Sequence, residues 1–130
     1  MTVAALFVAR ACRWHLHLPI DARSQNQLHS KGGGRWAYRA HAKAIVAALG
    51  IARHIPRAAI KRRVTLTRIW GKRQRAFDRG NLIGGLKPVL DGLRDVGLIV
   101  DDSAKWCEDH YSQRGPEAQS GIGITIEELE

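Results

Sequence analysis

The sequence predicts an α/β (α+β) single domain in which a small mixed β-sheet packs against two main helices. Three observations carry this. Segments of two-residue alternation lie near both ends of the chain, and a β-branched run lies in its middle. Two segments, 36–49 and 82–96, carry helical rather than strand signals. The elements follow one another in the order β-α-β-α-β-β, which suits a two-layer fold with a mixed sheet. The 130 residues are enough for one core and too few for two comfortable ones, so 1–130 reads as one domain with 1–11 as a peripheral extension.

Residues 12–18 alternate cleanly: Cys12, Trp14, Leu16 and Leu18 share one face, and Arg13, His15 and His17 the other. His15 and His17 share a strand face, but no third ligand of defined spacing accompanies them, so they read as solvent- or phosphate-facing. Pro19 ends the strand. Residues 20–35 are polar, contain Gly32, Gly33 and Gly34, and read as a mobile loop that touches a nucleic-acid backbone. They lack the Lys-Ser/Thr ending of a nucleotide-binding P-loop.

Residues 36–49 are alanine-rich, free of Pro and Gly, and followed by Gly50, which predicts a helix. Trp36, Ala40, Ala44, Ala47 and Ala48 form its expected packing face, with Arg39 and Lys43 on a charged side. A connector around Pro56 leads to a strand over 63–70, where Val64, Thr65, Thr67 and Ile69 are β-branched and Arg68 marks a wet or DNA-facing outer side. The basic turn 71–75 follows. Over 82–96, Leu82, Leu86, Val89, Leu90, Leu93 and Val96 recur at helical spacing. Asn81 is the expected N-cap, Gly97 the closing residue, and Pro88 places the start of the regular helix shortly before it. Residues 98–100 read as a short strand, 106–111 as another, Gly115-Pro116 as a turn, and 122–126 as the last strand.

Composition narrows the function classes. Lys and Arg number 21 against 12 Asp and Glu, a net charge of +9, and the basic residues cluster at 61–63 and 72–75, which favours a polyanionic partner. No hydrophobic run is long enough to cross a membrane. The apolar run 4–9 is too short and too soon interrupted by Arg10 for a signal peptide, and Cys12 and Cys107 read as reduced thiols, so a cytoplasmic location is expected.

Against that basic background the stretch 78–102 collects carboxylates. Asp78 precedes the second helix, Asp101 and Asp102 follow it, and Lys87 and Asp91 lie four apart on it. Carboxylates from two loops at one end of a sheet can converge on Mg²⁺, which takes a few carboxylates, several waters and phosphate oxygens. The same residues also fit a plain structural role: Asp78 and Asn81 as caps, Lys87 and Asp91 as a surface pair, Asp101-Asp102 as a turn.

The string Asp78-x-x-Asn81-Leu82, then Lys87-x-x-x-Asp91-Gly92-Leu93, then Gly97-x-Ile99-x-Asp101-Asp102 resembles the signature of the RusA-type Holliday junction resolvases, and the likeness extends from Trp14 to Glu128. It implies a homodimeric, Mg²⁺-dependent endonuclease, with Mn²⁺ as a substitute ion, that cleaves branched DNA in recombination and repair. On the matching positions, Asp78 and Asp102 would be catalytic metal ligands with Asp101 as a further contributor. Lys87 would lie near the scissile phosphate, Asp91 would be its acidic neighbour, and Asn26 would match a family asparagine. Two departures stand out. Gly80 occupies the position of the second aspartate of D-x-D, and Ile83-Gly84-Gly85-Leu86 lengthens the spacing from Asn81 to Lys87, a change that a loosened first turn would absorb.

The leading expectation is therefore phosphodiester hydrolysis by metal-bound water, with Lys87 as an added cation and Arg62, Arg63, Arg68, Lys72, Arg73 and Arg75 neutralising backbone phosphates. The alternatives are a non-catalytic DNA- or RNA-binding protein on the same fold, with Gly80 recording a lost ligand, and a structural protein that meets acidic partners through its basic surface.

Overall fold

The structure, a computed structural model, describes residues 12–28 and 34–129. The expectations for residues 1–11 and for Gly32 and Gly33 lie outside these. Strand β1 spans Arg13–Leu18, a single helical turn α1 Gln25–Leu28, and helix α2 Gly34–Ala48, which tightens into a 3₁₀ turn over Leu49–Ala52. Strand β2 follows at Arg62–Gly71, helix α3 at Arg79–Asp95, β3 at Cys107–Glu117 and β4 at Gly121–Glu128. The four strands form one mixed sheet in the order β1-β4-β2-β3. β4 is antiparallel to both its neighbours, while β2 and β3 run parallel. A parallel pair needs a crossover of a dozen or more residues, which α3 supplies.

The mixed α+β architecture expected from the element order is what the chain adopts. Alternation sets the two faces of the sheet. Leu16, Leu18, Val64, Leu66, Ile122, Ile124 and Ile126 point into one core with Ile45 and Leu49 and with Leu82, Leu86, Val89, Leu90 and Leu93 of α3. The opposite face is polar and laddered: His15 Nδ1 meets Thr125 Oγ1 at 3.0 Å, Thr67 Oγ1 meets Ser112 Oγ at 2.8 Å, and Arg63 pairs with Glu108.

Several expectations are corrected. Residues 20–35 are not all loop: α1 forms because Ser24 and Gln27 cap each other, and Leu28 is fully buried. The packing face of α2 is not the Trp36–alanine stripe. Trp36 is 78% exposed, whereas His41, Ile45 and Leu49 are buried. Isoleucine and leucine gain more from leaving water than alanine does, and Gly92 of α3 leaves room for them, Ile45 Cγ2 and Leu49 Cδ1 both lying 3.2 Å from where a Cβ would stand.

Helix α3 runs unbroken through Pro88, and its N-cap is Asp78 rather than Asn81. Gly84 and Gly85 do not loosen it. A Cβ on Gly85 would stand 1.9 Å from the Arg23 carbonyl oxygen, so the glycine is required by the chain packed across it. Residues 98–100 form no strand, because the amides of Leu98 and Ile99 both turn back to the Leu93 carbonyl at the end of α3, where Gly97 sits at φ 81°. Gly115-Pro116, a cis peptide, lies inside β3 rather than in a turn, with the Trp70 ring packed directly over Gly115.

Candidate functional site

The close approach at Gly85 seats α1 on the first two turns of α3. Gln25 covers Gly84, and the Asn26 amide donates to Asn81 Oδ1 at 3.2 Å. Asn81 in turn donates from its backbone N to Asp78 Oδ1 and from Nδ2 to Asp78 Oδ2, both at 2.9 Å. Three predicted residues from two parts of the sequence, Asn26, Asp78 and Asn81, thus meet at the N-terminus of α3. The hydrogen bonds from Asn81 hold the Asp78 carboxyl below its usual range, so it is ionised.

A second cluster lies further along the helix. Lys87 Nζ donates to Asp102 Oδ2 at 2.7 Å and lies 3.3 Å from Asp91 Oδ1. Arg94 approaches Asp91 and Asp102 at 4.0 and 3.9 Å, and the Tyr38 hydroxyl donates to Asp91 Oδ2 at 3.0 Å. The hydrogen bond from Lys87 and its charge depress the Asp102 pKa; that same bond, donated to Asp102, and the charge of Asp91 outweigh partial burial and raise that of Lys87. Asp101 is half-buried beside this cluster in sequence.

The second cluster lies on a helical stripe that begins at Gly80, beside the first cluster. At 100° per residue, positions 80, 84, 87, 91 and 94 follow one another along the same side of α3. Gly80 therefore heads the stripe that carries Lys87 and Asp91. A Cβ there would meet only Asp78 Oδ1, at 3.6 Å.

This donor set does not fit a divalent-cation centre as arranged. Both oxygens of Asp78 already accept from Asn81, and Asp102 faces two cations. Among the described residues no group of three or more His, Cys, Asp and Glu side chains is placed to hold a metal. In the second cluster Lys87 and Arg94 offset the charges of Asp91 and Asp102.

The predicted phosphate-binding residues divide by burial. Arg62 and Arg68 are 0% and 3% exposed and so are not surface cations. Arg62 donates from Nη1 to the Leu98 carbonyl (2.9 Å), from Nη2 to the Pro56 carbonyl (2.9 Å) and Glu128 (3.2 Å), and lies over the Trp14 ring. Arg68 lies 3.5 Å from the centroid of Phe77 and donates to the Arg75 carbonyl at 2.7 Å. Position parity explains both, since 62, 64, 66 and 68 all point to the core face of β2. Arg63 is half-exposed and bound to Glu108. Lys72, Arg73 and Arg75 are exposed, and no ion pair among the described residues engages them.

Sequence reasoning passed over His41, which is buried with Nε2 unpartnered among the described residues. A histidine four residues before Ile45, on the same side of α2, was its one visible sign.

No family model matches the chain, and no curated protein matches it. No helix among the described residues is long and apolar enough to cross a membrane.

Proposed function

We propose that this chain binds DNA, with branched DNA as the favoured substrate by its resemblance to junction resolvases, and acts as a homodimer in the reducing cytoplasm. The observation that carries the reading is the exposed trio Lys72, Arg73 and Arg75, without ion-pair partners among the described residues, leading directly into the N-terminus of α3. Carboxylates elsewhere are largely taken up by Arg62, Arg63, Lys87, Arg94 and Arg114, so the surplus positive charge belongs to surface residues of this kind. The thiols of Cys12 and Cys107 are free, which suits a reducing compartment.

The test is a salt titration of binding to a four-way junction and to linear duplex. Log K falls linearly with log salt, and the Lys72→Ala/Arg73→Ala/Arg75→Ala variant flattens the slope by up to about 2.7, roughly 0.9 for each phosphate no longer neutralised. Absence of any salt-sensitive affinity would remove the DNA reading and leave an acidic-protein partner.

A second reading, Mg²⁺-dependent cleavage of the bound junction, is favoured by the meeting of Asn26, ionised Asp78 and Asn81 beside an open Gly80. It requires Asp78 and Asp102 to be released from their present partners. Junction cutting with Mg²⁺ or Mn²⁺ that Asp102→Asn abolishes would establish it. Cutting seen only in Gly80→Asp would place the missing ligand at that position.

A further inference from the structure

Between α2, the chain after β1 and the loop after β2 lies a cleft of about 790 Å³, within the range of small-molecule sites. Its walls are of three kinds. Trp36 lies at its edge, 78% exposed, with Ala37, Ala40 and Ala44 continuing the same wall. Arg23 and Arg75 bring exposed cations, and Arg68 is held below by its stack on Phe77. His41 also lines the cleft, 6% exposed, with a ring nitrogen that has no hydrogen-bond partner among the described residues.

Each wall lacks something. Among the described residues, a large indole left in water on a stripe of alanines offers its ring to a flat ligand. A buried, unpaired histidine nitrogen is uncommon in folded proteins and calls for a partner. Burial first, and the nearby Arg23 charge second, hold the His41 pKa below its ordinary 6.5, so the ring is neutral and offers one donor and one acceptor. The acid in the cleft, Asp21, is already engaged by Gln74 Nε2 at 3.1 Å and by the Ser120 hydroxyl. A ligand that is flat and aromatic, polar along its edge and joined to a phosphate meets all of these at once.

We propose that this cleft receives one unpaired nucleobase of a bound DNA strand, stacked on Trp36, with its edge toward His41 and its phosphate between Arg23 and Arg75. The proposal rests on the DNA-binding reading and names the part of the substrate it takes: a base free of its pairing partner, as at a branch point or in a single strand. Aromatic stacking tolerates every base, because each has a π-face, so the cleft selects unpaired structure rather than sequence.

The test compares a single-stranded oligonucleotide with a duplex of the same length at fixed salt, using the full chain, Trp36→Ala, Trp36→Phe and His41→Gln. Trp36→Ala is expected to weaken single-strand binding roughly ten-fold while duplex binding and the salt slope stay unchanged, and Trp36→Phe to restore most of it. Because Trp36 is exposed, its variants keep the parent melting temperature. In parallel, deoxyadenosine monophosphate is titrated while the Trp36 indole and His41 ring resonances are followed. If the chain binds no DNA but these two resonances still move, the cleft stands and the DNA reading falls. If the chain binds DNA while Trp36→Ala loses nothing selective and neither resonance moves, the cleft proposal is overturned.

Discussion

Asp78, expected as a catalytic ligand, has a structural role in the fold. It caps α3, and asparagine caps as well as aspartate does. Asp78→Asn should therefore keep the melting temperature while Asp78→Ala lowers it, and both should bind DNA alike if the residue is only a cap. Gly85 is a sharper case. Gly85→Ala drives a methyl group into the Arg23 carbonyl and is expected to destabilise the fold by about 1–3 kcal/mol in urea unfolding, loosening Asn26 from Asn81. The Lys87–Asp102 pair is half-exposed, so Asp102→Asn should lose less than about 1 kcal/mol. Its pH dependence has a defined sign. The lowered Asp102 pKa gives stability that is full above the ordinary 3.8 and lost as pH falls through the folded value. The raised Lys87 pKa gives stability that is full below the ordinary 10.5 and lost as pH rises through the folded value. The wild-type advantage over Asp102→Asn should thus be flat between those limits and vanish outside them.

At the level of elements, strands were the most legible part of the sequence. Two-residue alternation in β1 and β4 directly reports one buried face, and the structure differs from it only at the ends. Helix α3 was recognisable from its leucines, but its start was not. Proline at position 88 reads as a boundary, and only the tertiary packing of Leu82, Gly85 and Leu86 extends the helix ten residues ahead of it to the Asp78 cap. Alanines misled in α2, since small residues mark a packing face only when no larger apolar side competes. In β2 the charge of Arg62 and Arg68 argued for solvent while their parity argued for the core, and parity won because backbone carbonyls and aromatic rings receive the guanidinium groups. Arg62→Ala strips the Leu98 and Pro56 carbonyls and Glu128 of their donor, and should destabilise by roughly 3–5 kcal/mol, read by chemical denaturation.

Over the whole molecule, net charge pointed toward a polyanion, while the contact of Asn26 with Asn81 at the start of α3 is visible only in the structure. The separation of Asp78 from the Lys87–Asp102 network was not legible, because spacing along a helix says which side a residue takes but not which neighbour claims its lone pairs. The sheet order carries a consequence of a different kind, concerning the sequence of assembly. β4, the last of the described strands, lies between β1, the first, and β2. Until residues 121–128 emerge during synthesis, β1 lacks the one neighbour it pairs with among the described strands, and its apolar face waits for it. Truncation after Ser120 should therefore leave a chain without cooperative unfolding, and adding back a peptide of residues 121–129 in trans should restore it.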